Sequence, residues 1–192
     1  MEILMVRHGQ TDWNVEKKVQ GKADIELNEN GIEQAKITSE KLKDRKIDVI
    51  ISSPLKRAKQ TAEIINQKLN CPIYIEEGIA ERDFGEFEGE YKNEFDFEGF
   101  WSYEKNLKYD KAENIRDFFE RIYNALDNII EKYNDKNVLI VSHGGVSRVV
   151  NCYFNGIPNK DNIISLGLRN CEVAQYTLNK SEKCWIIAIS NK

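Results

Sequence analysis

Histidine is nearly missing from this chain: its 192 residues include two, His8 and His143. Proline is almost as scarce, with three, Pro54, Pro72 and Pro158. Few prolines leave room for long, uninterrupted helices and strands. No apolar run approaches the roughly 18 residues that would suggest a membrane span, so no contact with a bilayer is expected. No block of lysine and arginine occurs and the formal net charge is −4, which argues against a nucleic-acid partner. The four cysteines, Cys71, Cys152, Cys171 and Cys184, contain no C-x-x-C pair. Neither a zinc ribbon nor a redox dithiol is therefore supported, and buried free thiols are the ordinary reading. The first residues pass directly into a short apolar strand without a secretory pattern, which predicts a cytoplasmic protein in a reducing compartment. There is no internal repeat and no low-complexity segment.

What the chain does contain is ordinary for a globular fold. Apolar residues make up 41% and charged residues 31%, both near the usual share, and the length suits a single domain over residues 1–192. Short apolar runs at Ile3–Val6, Val49–Ile51 and Val138–Val141 read as strands buried on both faces. Ile73–Ile75, Val173–Leu178 and Trp185–Ile189 read as further strands. Helical spacing joins Ile32, Ala35, Ser39 and Leu42, with Asn28 as an N-cap. Leu55, Ala58, Ala62, Ile65 and Leu69 form a second stripe, with Pro54 at the first helical position. Ile115 to Ile130 carries the longest stripe, and a fourth helix runs from Val146 to Phe154. Strands alternating with helices predict an α/β three-layer sandwich, a mainly parallel sheet with helices on both faces. Residues 90–111 break this rhythm. Seven of those 22 residues are aromatic, and they are expected to form a small helical insertion over the C-terminal strand ends.

The chemistry gathers where strands end. Ile3–Val6 runs into Arg7-His8-Gly9, and Val138–Val141 into Ser142-His143-Gly144-Gly145. Val49–Ile51 runs into Ser52-Ser53-Pro54, with Arg57 one turn later. Ligands of open α/β sheets bind outside the carboxyl ends of the strands, so two arginines and two imidazoles should meet there. Each histidine precedes a glycine, a coincidence with chance odds of about 0.5%, and glycine lets backbone approach a ligand closely. Helix N-termini after Gly145 and Pro54 would add oriented N–H groups. Together these describe a pocket for a dianion, and phosphate is the obvious one. The motifs of other phosphoryl or acyl chemistry are missing: there is no H-E-x-x-H, no carboxylate cluster beside either histidine, no nucleotide-binding P-loop and no G-x-S-x-G elbow. A neutral imidazole remains as a competent nucleophile, and neither a metal nor another cofactor is expected.

Arg7-His8-Gly9-Gln10-Thr11, continuing to Trp13-Asn14, resembles the signature of the histidine phosphatase superfamily, also called phosphoglycerate mutase-like. The resemblance continues through Gln20-Gly21, Asp24, Leu27, Gly31 and Gln34-Ala35, through Ser52-Ser53-Pro54-Leu55 with Arg57-Ala58 and Thr61-Ala62, and through Glu81 with Phe84-Gly85 and Glu88-Gly89. It closes with Ser142-His143-Gly144-Gly145. The blocks keep the family's order over roughly 150 residues; four ordered blocks are specific where a lone Arg-His-Gly would be weak. The resemblance implies that His8 attacks phosphorus and becomes phosphohistidine, that Arg7, Arg57 and His143 hold the phosphoryl oxygens, and that Glu81 protonates the leaving oxygen and then activates water. It also implies substrate contacts from Asn14, Gln20, Gly21 and the Gly144 amide. Lys22, Phe87 and Ala112-Glu113-Asn114 depart from the family's usual residues, away from the phosphoryl core.

Each feature has a plainer reading. The histidines could be hydrogen-bonded core residues, Arg57 a solvated helix arginine, and Glu81 one carboxylate of an acidic loop that also holds Glu76, Glu77, Glu86, Glu88 and Glu90. The aromatic insertion could pack as a cap or form a pocket wall. Three functions compete. The first is a phosphatase for a small phosphomonoester, α-ribazole 5′-phosphate or a broad range; the second is a mutase of the phosphoglycerate type; the third is a non-catalytic phosphoprotein-binding module. The intact set Arg7, His8, Arg57, Glu81 and His143 speaks against the third. Residues 90–111 contain no arginine, four lysines and six carboxylates, which favours the phosphatase, because a mutase needs extra cations for a second acidic group. Gly-Gly-Val-Ser-Arg after His143 points the same way, whereas Arg82 beside Glu81 points toward the mutases. Oligomeric state is not legible in the sequence.

Overall fold

A computed structural model describes residues 1–158 and 163–178. Its strands are β1 (Glu2–Arg7), β2 (Val49–Ser52), β3 (Ile73–Ile75), β4 (Val138–Ser142) and β5 (Val173–Thr177). They form one sheet in the order β3-β2-β4-β1-β5, parallel except for β5, which runs antiparallel to β1. The expected strand Trp185–Ile189 lies outside the described residues. The helices are α1 (Asp12–Val15), α2 (Glu29–Leu42), α3 (Lys56–Leu69), α4 (Phe97–Phe100), α5 (Ile115–Lys132) and α6 (Gly144–Asn155).

Side chains of a strand point alternately to the two faces, and here both faces are apolar. Ile3, Met5, Val49, Ile51, Val138 and Ile140 meet α5 and α6, while Leu4, Val6, Ile50, Leu139 and Val141 meet α2 and α3. The result is the three-layer α/β sandwich that the continuous apolar runs imply. Asn28 caps α2 by accepting from the Gly31 amide at 2.9 Å, and Asn114 caps α5 through the Arg116 amide at 2.9 Å.

Two local expectations need correction. Ile32 of α2 is 37% exposed, and the inward face is Gly31, Ala35, Thr38, Ser39 and Leu42. Polar residues can face inward because their hydroxyls are satisfied: Thr38 donates to the Cys171 carbonyl and Ser39 to the Ile65 carbonyl, each at 3.0 Å. Pro54 is not the first residue of α3, since Leu55 is the extended N-cap and the helix starts at Lys56.

The insertion is less helical than its aromatic content suggests. Its only described helix is the single turn α4; the remainder is mostly turns and irregular chain. Phe100 and Trp101 are buried in the core on the α5 side. Phe84 stacks on Phe100 at 4.7 Å and Phe87 on Phe95 at 4.4 Å between ring centroids. Part of the segment is therefore cap packing, and Lys92, Phe97 and Trp101 face the pocket described next.

Candidate active site

The three central parallel strands deliver their ends to one place. Ladder bonds continue past the strands: the His8 amide donates to the Ser142 carbonyl at 2.9 Å and the Ser53 amide to the Val141 carbonyl at 3.0 Å. This holds the chain in register up to the functional residues. The turn after β1 is then tied to α3, where the Gly9 amide donates to Thr61 Oγ1 at 3.0 Å. Gly9 itself packs against the Gly31 backbone so closely that a Cβ would overlap it. The two histidine rings finish 5.2 Å apart between centroids, tilted by 59°.

Both imidazoles are fully buried, and both are held neutral. Burial pushes the His8 pKa well below its usual value, helped by Arg57 and Arg7, against a smaller opposing effect of the Gly9 carbonyl. His143 moves the same way, through burial and then Arg57 and His8. His8 Nδ1 sits 2.7 Å from the Gly9 carbonyl. A carbonyl can only accept, so Nδ1 carries the proton and Nε2 keeps its lone pair. His143 Nε2 lies 2.6 Å from Ser53 Oγ, while its Nδ1 has no partner.

The arginines are anchored by carbonyls, which leave their charge uncompensated. Arg57, wholly buried on α3, donates from Nη1 to Ala23 and from Nη2 to Gly21, both at 2.7 Å. Arg7 donates from Nη1 to the Leu168 carbonyl at 3.0 Å. The Nε of each is buried without a partner. Burial lowers the Arg57 pKa to about 10, which leaves it charged at neutral pH.

Glu81 follows the short helix Glu77–Ile79. Its carboxylate accepts from the Arg82 and Gly145 amides, each at 2.9 Å. Gly145 has to be glycine for this, since a Cβ would overlap Glu81 Oε1 and crowd Trp101. Two of the other acidic candidates are engaged elsewhere. Glu88 accepts from the Lys22 and Ala23 amides at 2.7 and 2.9 Å and clamps that loop, and Glu76 accepts from the Gly78 amide.

All nine sequence candidates meet here. Arg7, His8, Asn14, Gln20, Gly21, Arg57, Glu81 and Gly144 line one pocket, and His143, outside that lining, has its ring 5.2 Å from that of His8. Asn14 Oδ1 is taken by the Thr11 amide at 3.1 Å and by Asn170 at 3.2 Å, so its NH₂ is the end left to offer. Sequence reasoning overlooked four residues. Asn170 also donates to the His8 carbonyl at 2.9 Å, from a loop some 160 residues away that carries no local signal. Ser53 was visible in its motif, but its bond to His143 was not. Arg148 and Lys92 line the pocket. Arg148 could have been found, because it stands four residues after Gly144 on one face of α6. Arg82, by contrast, does not line the pocket, although its Nη2 is buried without a partner. It is buried, donates to the Phe100 and Glu113 carbonyls, and lies 3.6 Å over the Phe100 ring.

Among the described residues no group of three or more His, Cys, Asp or Glu could hold a metal ion, and no helix is long and apolar enough to cross a membrane.

The chain is similar to known proteins. The uncharacterized phosphatase PhoE of Bacillus subtilis is 44% identical over 142 residues, 74% of this chain and 71% of PhoE. The probable phosphoglycerate mutase GpmB of Salmonella arizonae is 32% identical over 191 residues, 95% of this chain and 87% of GpmB. The solved structure of Bacillus stearothermophilus YhfR matches with a TM-score of 0.87 at 28% identity, covering 98% of this chain and 95% of YhfR. With the model for branch 1 of the histidine phosphatase superfamily matching residues 3–191, the chain belongs to that family.

Proposed function

We propose that this protein is a phosphomonoester phosphatase working through a phosphohistidine on His8. One observation carries the reading: the His8 ring is buried and neutral, its Nδ1 proton is committed to the Gly9 carbonyl at 2.7 Å, and its Nε2 is left among cations. In the first step the Nε2 lone pair attacks phosphorus, a P–N bond forms and the ester P–O bond breaks. Glu81 gives a proton to the departing oxygen. In the second step Glu81 takes a proton from water, the water oxygen bonds to phosphorus, and the P–N electrons return to Nε2. Arg7 and Arg57 supply donors fixed in place beforehand, where charge builds on the phosphoryl oxygens. Ser53 donating to His143 Nε2 would put the proton of that ring on Nδ1, making it a further donor. Asn14 and the Gly144 amide complete the cradle, with Gln20 and Gly21 on the substrate side.

Water must reach the intermediate in a phosphatase and must be kept from it in a mutase. The exposed Lys92 and half-buried Phe97 at the mouth form no closed lid. With Arg82 spent on structure, hydrolysis should exceed 3-phosphoglycerate mutation by at least roughly 100-fold in kcat/KM, about 2.7 kcal/mol. The substrate is a small phosphomonoester; α-ribazole 5′-phosphate or a broad range would both fit the apolar wall of Phe84, Phe97 and Trp101. Cys71 and Cys171 stand outside any disulfide among the described residues, which suits a cytoplasmic setting.

The test is phosphate release from a metabolite panel in the presence of EDTA. Because the pocket draws its positive charge from side chains, full activity is expected, with inhibition by orthovanadate. Activity lost to the chelator and restored by a divalent ion would refute the mechanism, and 2- and 3-phosphoglycerate interconversion with little phosphate release would refute the phosphatase.

A further inference from the structure

The chain between the short helix Ile164–Leu166 and β5 returns to the pocket at several points. The Leu168 carbonyl accepts from Arg7 Nη1 at 3.0 Å, and the Cys171 amide donates to the Arg7 carbonyl at 2.9 Å. The Leu168 amide donates to Ser147 Oγ at 3.0 Å, and that hydroxyl donates to the Gly144 carbonyl at 2.8 Å. One loop thus stitches the end of β1 to the start of α6. Cys171 makes this turn with a left-handed backbone, φ 57°, a conformation that a non-glycine residue keeps only where its surroundings impose it.

Asn170 stands in the middle of the loop, half-buried and outside the pocket lining. Its side-chain nitrogen donates to the His8 carbonyl at 2.9 Å and to Asn14 Oδ1 at 3.2 Å, so two hydrogens meet two acceptors. Asn14 Oδ1 also accepts from the Thr11 amide at 3.1 Å, which fills both of its lone pairs. Turning the Asn14 amide over would break both bonds and set its nitrogen against two donors. The Asn14 NH₂ is therefore the end committed to the pocket that Asn14 lines. The His8 backbone is held from both sides as well, its amide by the Ser142 carbonyl at 2.9 Å and its carbonyl by Asn170.

We infer that Asn170 is a positioning residue for the phosphoryl group. It touches no substrate and acts through Asn14, whose NH₂ it keeps turned toward the phosphoryl oxygens. The inference rests on the phosphatase reading and adds to it a residue some 160 positions from the nucleophile.

The test uses Asn170→Ala and Asn170→Asp; the second keeps the shape of the side chain and replaces the donor nitrogen by an oxygen. Calorimetric titration with inorganic phosphate should show the dissociation constant rising at least fivefold in both, and in the aspartate variant at least as much as in the alanine one. A misfolded fraction lowers the stoichiometry and leaves that constant alone, so a purely structural role would not move it. Turnover of p-nitrophenyl phosphate and of an alkyl phosphate should fall at least tenfold in kcat/KM, by the same factor for both, because the phosphoryl group is common to them. Asn14→Ala and Asn14→Ala/Asn170→Ala should bind phosphate within twofold of each other, since a residue acting through Asn14 then has nothing left to position. Unchanged phosphate affinity in both single variants would overturn the proposal, as would a loss undiminished in the Asn14→Ala background. A loss of turnover confined to one class of ester would also overturn it. Phosphate affinity that depends on Asn170 through Asn14, in a protein that releases phosphate from no ester, would sink the phosphatase reading and leave the role of Asn170 standing.

Discussion

Glu81 faces the pocket with two backbone amides on its carboxylate, from Arg82 and Gly145. A proton donor matters most when the leaving alcohol is a poor one. Glu81→Gln should therefore reduce turnover of an alkyl phosphate at least tenfold more than that of p-nitrophenyl phosphate, measured as kcat/KM. Equal losses on both would make Glu81 a binding residue. The motif around Glu81 singled it out of the acidic loop, but only the fold explains why Glu88 cannot replace it, because both Glu88 oxygens hold the Lys22–Ala23 turn. Arg148 is the reverse case. Its place one turn after Gly144 was legible, whereas the Trp101 ring it stacks on comes from a segment that no periodicity locates. Asn170 was beyond reach for the same reason.

At the scale of elements, α5 does more than fill the core. Arg121 pairs with Glu113 in two contacts of 2.8 Å and donates to the Gly78 and Ala80 carbonyls at 2.9 and 3.0 Å. It thereby fastens the segment that presents Glu81. Arg121→Ala would strand a largely buried carboxylate and these two carbonyls, costing about 2–4 kcal/mol. Thermal unfolding should fall by roughly 5–10 °C, and the residual activity should shift toward aryl esters as in Glu81→Gln. A variant with the lowered midpoint and an unchanged alkyl-to-aryl ratio would show that Arg121 serves stability alone. Strands and long helices were readable because continuous apolar runs and 3.6-residue stripes are set by the same burial that forms them. The insertion was not. Its aromatics pack on Phe84, Phe87 and Phe118 from other segments, and such pairing leaves no period in the local sequence.

For the whole molecule, the two histidines tie stability to pH. Both are neutral when folded, with pKa values well below 6.5, and both titrate near 6.5 when unfolded. The unfolded chain therefore takes up protons first. Stability is complete above pH 6.5 and declines as pH falls toward the folded-state values. Between pH 6.5 and 5.5 stability should therefore fall, a slope readable by urea denaturation. His8→Asn/His143→Asn should lose that slope; a slope unchanged in the double variant would place its origin elsewhere. The most direct test of the account is the chemical trapping of the enzyme during turnover of an activated aryl phosphate. Quenched protein should carry one phosphoryl group on His8, labile to acid and stable to alkali, and His8→Ala should carry none and turn over almost no substrate. A phosphoryl group mapped to serine or aspartate, or turnover that survives in His8→Ala, would contradict it.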